Sequence, residues 1–258
     1  MSLIKSISGI RGTIGGVPDE NLTPIDAVKF AAAYGTWLKE NLNKANIKVV
    51  VGRDARISGE MIQNLVQYTL VGLGINVVDI GLSTTPTVEV AVTMEKADGG
   101  IILTASHNPK QWNALKLLNN KGEFLSAKEG ERILTIAQEN KVVFADVEDL
   151  GSISHDNTYI QKHIEAVLGL LTSSTIEAIR NCKFKVVVDA VNSTGGIAIP
   201  KLLEHFGVEV VCLYCEPNGH FPHNPEPLKE HLGDICKKVL EEKADFGIVV
   251  DPDVDRLA

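Results

Sequence analysis

The sequence predicts an α/β protein built as two tandem, structurally similar three-layer α/β/α domains with mixed sheets. Three observations carry that expectation. Residues 47–51 (Ile-Lys-Val-Val-Val) and 183–188 (Lys-Phe-Lys-Val-Val-Val) are apolar runs with the length of buried strands. Each opens the same series: a Ser/Gly-containing loop (Arg53-Asp-Ala-Arg-Ile-Ser-Gly; Ala190-Val-Asn-Ser-Thr-Gly-Gly), then an amphipathic stretch (Glu60 to Leu73; Ile197 to Phe206). A glycine and a second apolar run follow in both (Gly74-Ile-Asn-Val-Val-Asp-Ile; Gly207-Val-Glu-Val-Val-Cys-Leu). Further on, Ala97-Asp-Gly-Gly-Ile-Ile-Leu-Thr matches Ala244-Asp-Phe-Gly-Ile-Val-Val-Asp, as an internal duplication requires.

Each copy reads as β-α-β, with Gly74 and Gly207 supplying the turn after the helix. The seam falls near 149–156, Asp-Leu-Gly-Ser-Ile-Ser-His-Asp, where small and polar residues interrupt the periodicity. The domains are therefore expected over 1–150 and 151–258, the second opening on a helix from Thr158 to Leu171.

With 258 residues, 44% hydrophobic and 22% charged, the chain has the composition of a globular protein with a sizeable core. A formal net charge of −8 argues against a nucleic-acid surface or an anionic membrane as partner. The amino terminus lacks the apolar stretch of a signal peptide, and no run approaches the ~18 apolar residues of a bilayer span. The expectation is cytoplasmic, with the sequons at Asn21 and Asn192 idle. Cys212 and Cys215 form a C-x-x-C ahead of His220 and His223. The spacing is poor for zinc, and both cysteines lie in or beside an apolar run where i and i+3 face opposite sides, so core cysteines are expected.

In open α/β sheets, ligands gather at the carboxyl ends of strands. There the two copies carry different loops, Thr104-Ala-Ser-His-Asn-Pro109 and Asp251-Pro-Asp-Val-Asp-Arg256. Ser106 beside His107 does not make a hydrolase dyad, because neighbours in an extended segment point to opposite faces. Asp251, Asp253 and Asp255 at i, i+2, i+4 would share one side of an extended backbone. Three such carboxylates suit a hard divalent cation such as Mg²⁺, against a solvated acidic turn as the alternative. An EF-hand is excluded by Arg256 where the loop needs glycine. A strand ending in Asp-x-Asp also resembles the haloacid-dehalogenase-like phosphatases, whose downstream motifs this chain lacks. Gly9 to Gly16 fits neither dinucleotide nor phosphate-loop patterns and reads as a mobile turn presenting Arg11.

Taken together, Thr104-Ala-Ser-His-Asn-Pro and Asp251-Pro-Asp-Val-Asp-Arg resemble motifs of the α-D-phosphohexomutase superfamily: phosphoglucomutases, phosphomannomutases and phosphoglucosamine mutases. Ser8-Gly-Ile-Arg-Gly12, Gly52-Arg-Asp-Ala-Arg-Ile-Ser58 and Asn218-Gly-His-Phe-Pro-His-Asn-Pro-Glu-Pro227 agree, in the family's order. The resemblance implies that Ser106 carries a transferable phosphoryl group and that Asp251, Asp253 and Asp255, with the phosphorylated serine, hold Mg²⁺. It implies Lys116 in proton transfer or charge stabilisation, and Arg11 and Arg256 on the phosphoryl group. His107 and Asn108 would orient the loop or the sugar, while Arg53, Asp54 and Arg56 would form a charge network behind it. Asn113-Ala-Leu-Lys116 departs from the family's Asn-Gly, which puts a glycine-dependent turn there in doubt.

The implied activity interconverts hexose 6-phosphate and hexose 1-phosphate through a bound hexose 1,6-bisphosphate, which also serves as phosphorylating activator. The family has four domains, and this sequence matches the first two. The expectation is a truncated fragment, inactive as a mutase by itself, of the phosphoglucomutase/phosphomannomutase type. Phosphoglucosamine mutase is the alternative within the family. An inactive metal- or phosphate-binding module is the alternative of another class.

Overall fold

The computed structural model describes residues 2–6, 9–42 and 44–258, so Ser8 of the opening motif lies outside the described residues. The chain begins with β1 (Ile4–Ser6), β2 (Gly9–Thr13) and α1 (Pro24–Asn41). Thr23 caps α1 in a reciprocal box with Asp26, and Pro24 sits in its first turn, where a missing N–H costs nothing. There follow β3 (Lys48–Arg53), α2 (Gly59–Gly72), β4 (Asn76–Leu82), α3 (Thr85–Met94), β5 (Gly99–Leu103), β6 (Trp112–Leu118), α4 (Ala127–Glu139) and β7 (Ile153–His155). The seven strands form one sheet in the order β1-β2-β6-β5-β3-β4-β7. It is mixed: β5, β3, β4 and β7 run parallel, whereas β6, β2 and β1 pair antiparallel.

The uninterrupted valines of β3 follow from burial on both faces. Val49 and Val51 pack with Phe30, Tyr34 and Leu70 of α1 and α2, while Val50 packs with Val88 and Val92 of α3. That two-residue alternation makes three layers.

The second unit contains α5 (Tyr159–Leu168), α6 (Ser173–Cys182), β8 (Lys185–Asp189), α7 (Gly195–His205), β9 (Glu209–Leu213), α8 (Gly233–Glu242) and β10 (Phe246–Val249). Its strands are parallel in the order β10-β8-β9. Antiparallel pairing begins just beyond: Val249 and Ala258 exchange backbone hydrogen bonds, and Val250 bridges Leu257. These residues stand beside β10 as β6 stands beside β5. The helix expected from Thr158 to Leu171 stops at Leu168 and gives way to α6, whose first turn is capped by the Thr172 hydroxyl.

The duplication extends to individual side chains. Asp98 accepts the Lys48 N–H at 2.9 Å and donates its own N–H to the Lys48 carbonyl at 2.8 Å. Asp245 makes the same pair with Lys185, both at 2.8 Å. The lysines in turn reach Glu95 and Glu242. Each copy of Glu-Lys-Ala-Asp thus clamps the start of one parallel strand to the start of its neighbour.

The segment 149–156, read as the seam, contains β7, which extends the first sheet by pairing with β4. Two features differ from the sequence reading. Gly9 to Thr13 is an inner strand rather than a turn; β2 lies between β1 and β6, and a Cβ on Gly9 would lie 2.5 Å from the Leu115 carbonyl oxygen. Glycine there permits close approach of strands rather than mobility. The cysteines are not core residues, because β9 is a sheet edge: Cys212 is exposed and Cys215 partly so. Tyr214, at φ 53°, ends the extended run and turns Cys215 toward Cys212, whose proximity, after burial, pushes the Cys215 thiol up to about 12.

Candidate active site

The serine loop leaves β5 at Thr104 and is held by a charge cluster inside the protein. Asp54 and Arg56 are both fully buried side chains joined at 3.0 Å. Arg56 donates through Nη1 to the carbonyls of Pro109 and Trp112 at 2.8 and 2.9 Å, and through Nη2 to those of Ser106 and Asn108, both at 2.6 Å. One planar fork therefore fixes four carbonyls of the 106–112 segment. The Thr104 hydroxyl donates to Asp54 at 2.7 Å and accepts the Ser106 N–H at 2.9 Å. Arg53 donates to the Asp54 carbonyl and to Gln63, extending the support.

Ser106 has φ 50°, a left-handed conformation that a non-glycine residue adopts at a cost. The segment is therefore not extended, and His107 Nδ1 comes within 3.4 Å of Ser106 Oγ instead of pointing away. The Ser106 hydroxyl points across to the second unit, donating to Asp251 Oδ2 at 2.9 Å and to Asp255 Oδ1 at 3.4 Å.

The three aspartates converge for a reason other than strand alternation. The loop turns back on itself, with Val254 at φ 63°, and the backbone N–H groups of Asp255 and Arg256 both donate to Asp251 Oδ1 at 3.2 Å. One oxygen from each carboxylate lies within 4.8 Å of the others, the only such acidic or Cys/His group among the described residues. Cys212, Cys215, His220 and His223 form none. Asp251 and Asp253 are completely buried and Asp255 is exposed.

Lys116 projects from the middle of β6, not the start of a strand, and donates to Asp253 Oδ2 at 2.8 Å and Asp255 Oδ2 at 3.1 Å. Ala114 two residues earlier is regular buried strand, so no glycine turn is needed there. From the first unit Thr85 also grips this loop, donating its N–H to the Asp253 carbonyl at 2.8 Å and its hydroxyl to Asp253 Oδ2 at 2.6 Å. Ser193 ties the other side: its hydroxyl donates to the Pro252 carbonyl at 2.7 Å and accepts the Ala55 N–H at 3.2 Å.

Burial, with Asp253 and Asp255 beside it, pushes the Asp251 carboxyl up to about 8. Burial acts on Asp253 in the same direction, but the Lys116 ammonium overrides it and holds that carboxyl low. Burial pulls Lys116 down, and Asp253 and Asp255 more than restore it, so the ammonium stays charged. His107 is lowered by burial and by Arg256. Even with the Asp251 carboxyl raised, one lysine faces two further carboxylates, and Asp253 Oδ1 is buried with no hydrogen-bond partner among the described residues. An all-oxygen set carrying this uncompensated negative charge fits a hard divalent cation such as Mg²⁺.

A cleft of ≈ 230 Å³ opens over these groups, lined by Arg11, Ser106, His107, Asn108, Lys116 and Arg256 among others. Every cleft residue singled out in the sequence thus meets at one place. Glu226 was not among them: its Oε1 accepts from Arg256 Nη1 at 2.8 Å and lies 3.9 Å from His107 Nε2. It belongs to the 216–227 segment, which packs on the 53–58 loop with Phe221 under Arg56, 5.1 Å from ring centre to guanidinium, and Gly219 against Ala55. Thr85 and Ser193 were also missed, since Asp253 and Ala55, the partners that tie them across the site, lie in the other unit.

The chain matches the family model for phosphoglucomutase/phosphomannomutase alpha/beta/alpha domain I over residues 4–143 and that for domain II over residues 159–258. It is 36% identical over 248 residues to a phosphoglucomutase/phosphomannomutase of Thermococcus kodakarensis, covering 95% of this chain and 53% of that relative. A Pyrococcus abyssi protein named "Probable phosphoglucosamine mutase" is 34% identical over 250 residues, covering 97% and 51%. The crystal structure of a phosphoglucomutase/phosphomannomutase family protein from Burkholderia thailandensis superposes with a TM-score of 0.80 at 25% identity, covering 99% of this chain and 54% of that one. The chain spans about half the length of the curated relatives it matches.

Proposed function

The chain belongs to the phosphoglucomutase/phosphomannomutase family, and on that premise we propose that it supplies the phosphoryl-carrying half of a phosphohexomutase site. The observation that carries the reading is the meeting of Ser106 Oγ with Asp251 at 2.9 Å, beside Lys116 and across the two halves of the duplication. A hydroxyl aimed at a cluster of carboxylates is poor placement for attack on a carbonyl. It is good placement for a phosphoryl group, provided a cation would offset the negative charge of the carboxylates and the phosphoryl oxygens.

Ser106 holds the phosphoryl group and passes it to a hydroxyl of a bound hexose phosphate. The sugar oxygen bonds to phosphorus as the P–Oγ bond breaks, and Ser106 takes up the proton the sugar gives. The resulting hexose 1,6-bisphosphate reorients and returns its other phosphoryl group to Ser106 by the reverse exchange. The net change moves phosphate between the 6 and 1 positions. Asp251, Asp253 and Asp255, with the phosphoserine, would hold Mg²⁺, which would neutralise charge on the phosphoryl oxygens during transfer. Lys116, kept charged by its carboxylates, stabilises the negative charge that spreads during transfer. Arg11 and Arg256 present guanidinium forks to the phosphoryl oxygens. His107 and Asn108 orient the loop and the sugar.

The test is phosphoryl capture. Incubation of the chain with Mg²⁺ and glucose or mannose 1,6-bisphosphate is expected to add one phosphoryl group, mapping to Ser106, as read by intact-mass and peptide mass spectrometry. Ser106→Ala is expected to add none. Equal labelling of that variant refutes the assignment, and an unlabelled wild-type chain that still binds phosphate favours the inert binding module. The glucosamine-mutase relative motivates one further arm, glucosamine 1,6-bisphosphate in competition with the other two sugars.

A further inference from the structure

We infer that Thr85 is a positioning residue for the divalent cation, fixing Asp253 so that Oδ1 is the oxygen it offers. Thr85 is the first residue of α3, after its cap Thr84, and Pro86 follows. First-turn N–H groups have no partner inside their own helix. Here the Thr85 N–H is used across the fold, on the Asp253 carbonyl, and the Thr85 hydroxyl is used on Asp253 Oδ2. Both residues are buried, Thr85 at 2% and Asp253 at 0% exposure. Lys116 adds a second donor to the same Oδ2, while Oδ1 is buried and has none among the described residues.

Two donors on one carboxylate oxygen set the rotation of the group. The other oxygen is left as a free lone-pair donor in a buried place beside Asp251 and Asp255, the arrangement a cation site needs and a solvated acidic turn does not. Groups that hold ligands in this way commonly contribute about 10–100-fold to metal affinity. Because Thr85 belongs to the first unit and Asp253 to the second, docking of the two units and cation affinity are coupled through one hydroxyl.

The inference rests on the cation reading of the three aspartates, and direct binding separates the two. Mn²⁺ binding to the 258-residue chain is measured by electron paramagnetic resonance, with Mg²⁺ competition by calorimetry. The wild type is expected to bind one ion. Thr85→Val, nearly isosteric but without the hydroxyl, is expected to bind about tenfold or more weakly, and Thr85→Ser close to wild type. In an Asp253→Asn background, Thr85→Val is expected to change affinity little further. If Thr85→Val does not fold, Thr85→Ala against Thr85→Ser isolates the same hydroxyl. Equal affinity of wild type and the hydroxyl-less variants overturns the role of Thr85 alone. Failure of the wild type to bind either ion overturns the cation reading itself.

Discussion

Replacing Arg56 by methionine probes the framework under the serine loop. The substitution keeps much of the side-chain volume and removes five side-chain hydrogen bonds: one to Asp54 and four to the carbonyls of Ser106, Asn108, Pro109 and Trp112. Asp54 would remain at 0% exposure with no cation beside it. Breaking a buried ion pair from one side costs about 3–5 kcal/mol, mostly through the charge left behind. At about 2–4 °C per kcal/mol for a chain of this size, Arg56→Met is expected to lower the Tm by about 6–20 °C in scanning calorimetry. The pH dependence has a definite sign. Burial already raises the Asp54 carboxyl, and Arg56 opposes it. Without the arginine the folded variant takes up a proton on Asp54 more readily than the unfolded chain, so its deficit against wild type narrows as pH falls. Asp54→Asn added to Arg56→Met is expected to recover part of the loss, and Arg56→Lys to fall between wild type and Arg56→Met. A Tm for Arg56→Met within about 2 °C of wild type refutes the claim that this pair supports the loop.

Mg²⁺ at a hundredfold excess over its dissociation constant is expected to stabilise the chain by about 2.7 kcal/mol, reversibly with a chelator; Asp253→Asn should abolish the Tm shift. His223 is held above its ordinary value of 6.5 chiefly by its hydrogen bond to Asp189, 2.9 Å away, with burial opposing. Its contribution is therefore complete below the unfolded-state value and disappears as pH rises through the higher folded value. Urea unfolding across that range should show the decline, and His223→Phe should flatten it. Gly219 has φ +74°, and a Cβ there would lie 2.1 Å from the Ala55 carbonyl oxygen. Gly219→Ala is expected to destabilise by about 1–3 kcal/mol in denaturant titration, and a loss below 0.5 kcal/mol would mean that the 216–227 segment yields freely.

What the sequence made legible was what repeats. Val49 to Val51 and Val186 to Val188 announced strands buried on both faces, and the match of Ala97-Asp98 with Ala244-Asp245 and the apolar runs after them placed the serine and carboxylate loops at equivalent strand ends. What it hid lay mostly in single left-handed residues. Ser106, Tyr214 and Val254 all have positive φ without being glycine, asparagine or aspartate, so no local pattern marks them. Each changes which neighbours meet: His107 with Ser106, Cys215 with Cys212, and the aspartates around a turn rather than along a strand. The opposite error occurred at Gly9, where glycine suggested a turn but serves a close strand contact. Thr85, Ser193 and Glu226 act on partners far away in sequence, and period or spacing carries no information about such pairs.

The duplication also explains why the site lies between the copies rather than within one. A strand-end loop in a single domain could hold either an electron-rich phosphoryl group or three carboxylates, and placing both in one loop would put like charges in the same few residues. Dividing them between two equivalent ends lets each loop be built in its own surroundings: the serine loop on the Asp54–Arg56 pair, the aspartate loop around its own backbone N–H groups. Lys116 meets part of the remaining repulsion at the junction, and the proposed cation would meet the rest. It follows that the docking contacts through Thr85, Ser193 and Gly219 are part of the site, although none of them touches Ser106. Variants there should weaken cation binding and phosphoryl capture together while leaving each unit folded, whereas variants behind one loop, such as Arg56→Met, should reduce the stability of the first unit itself.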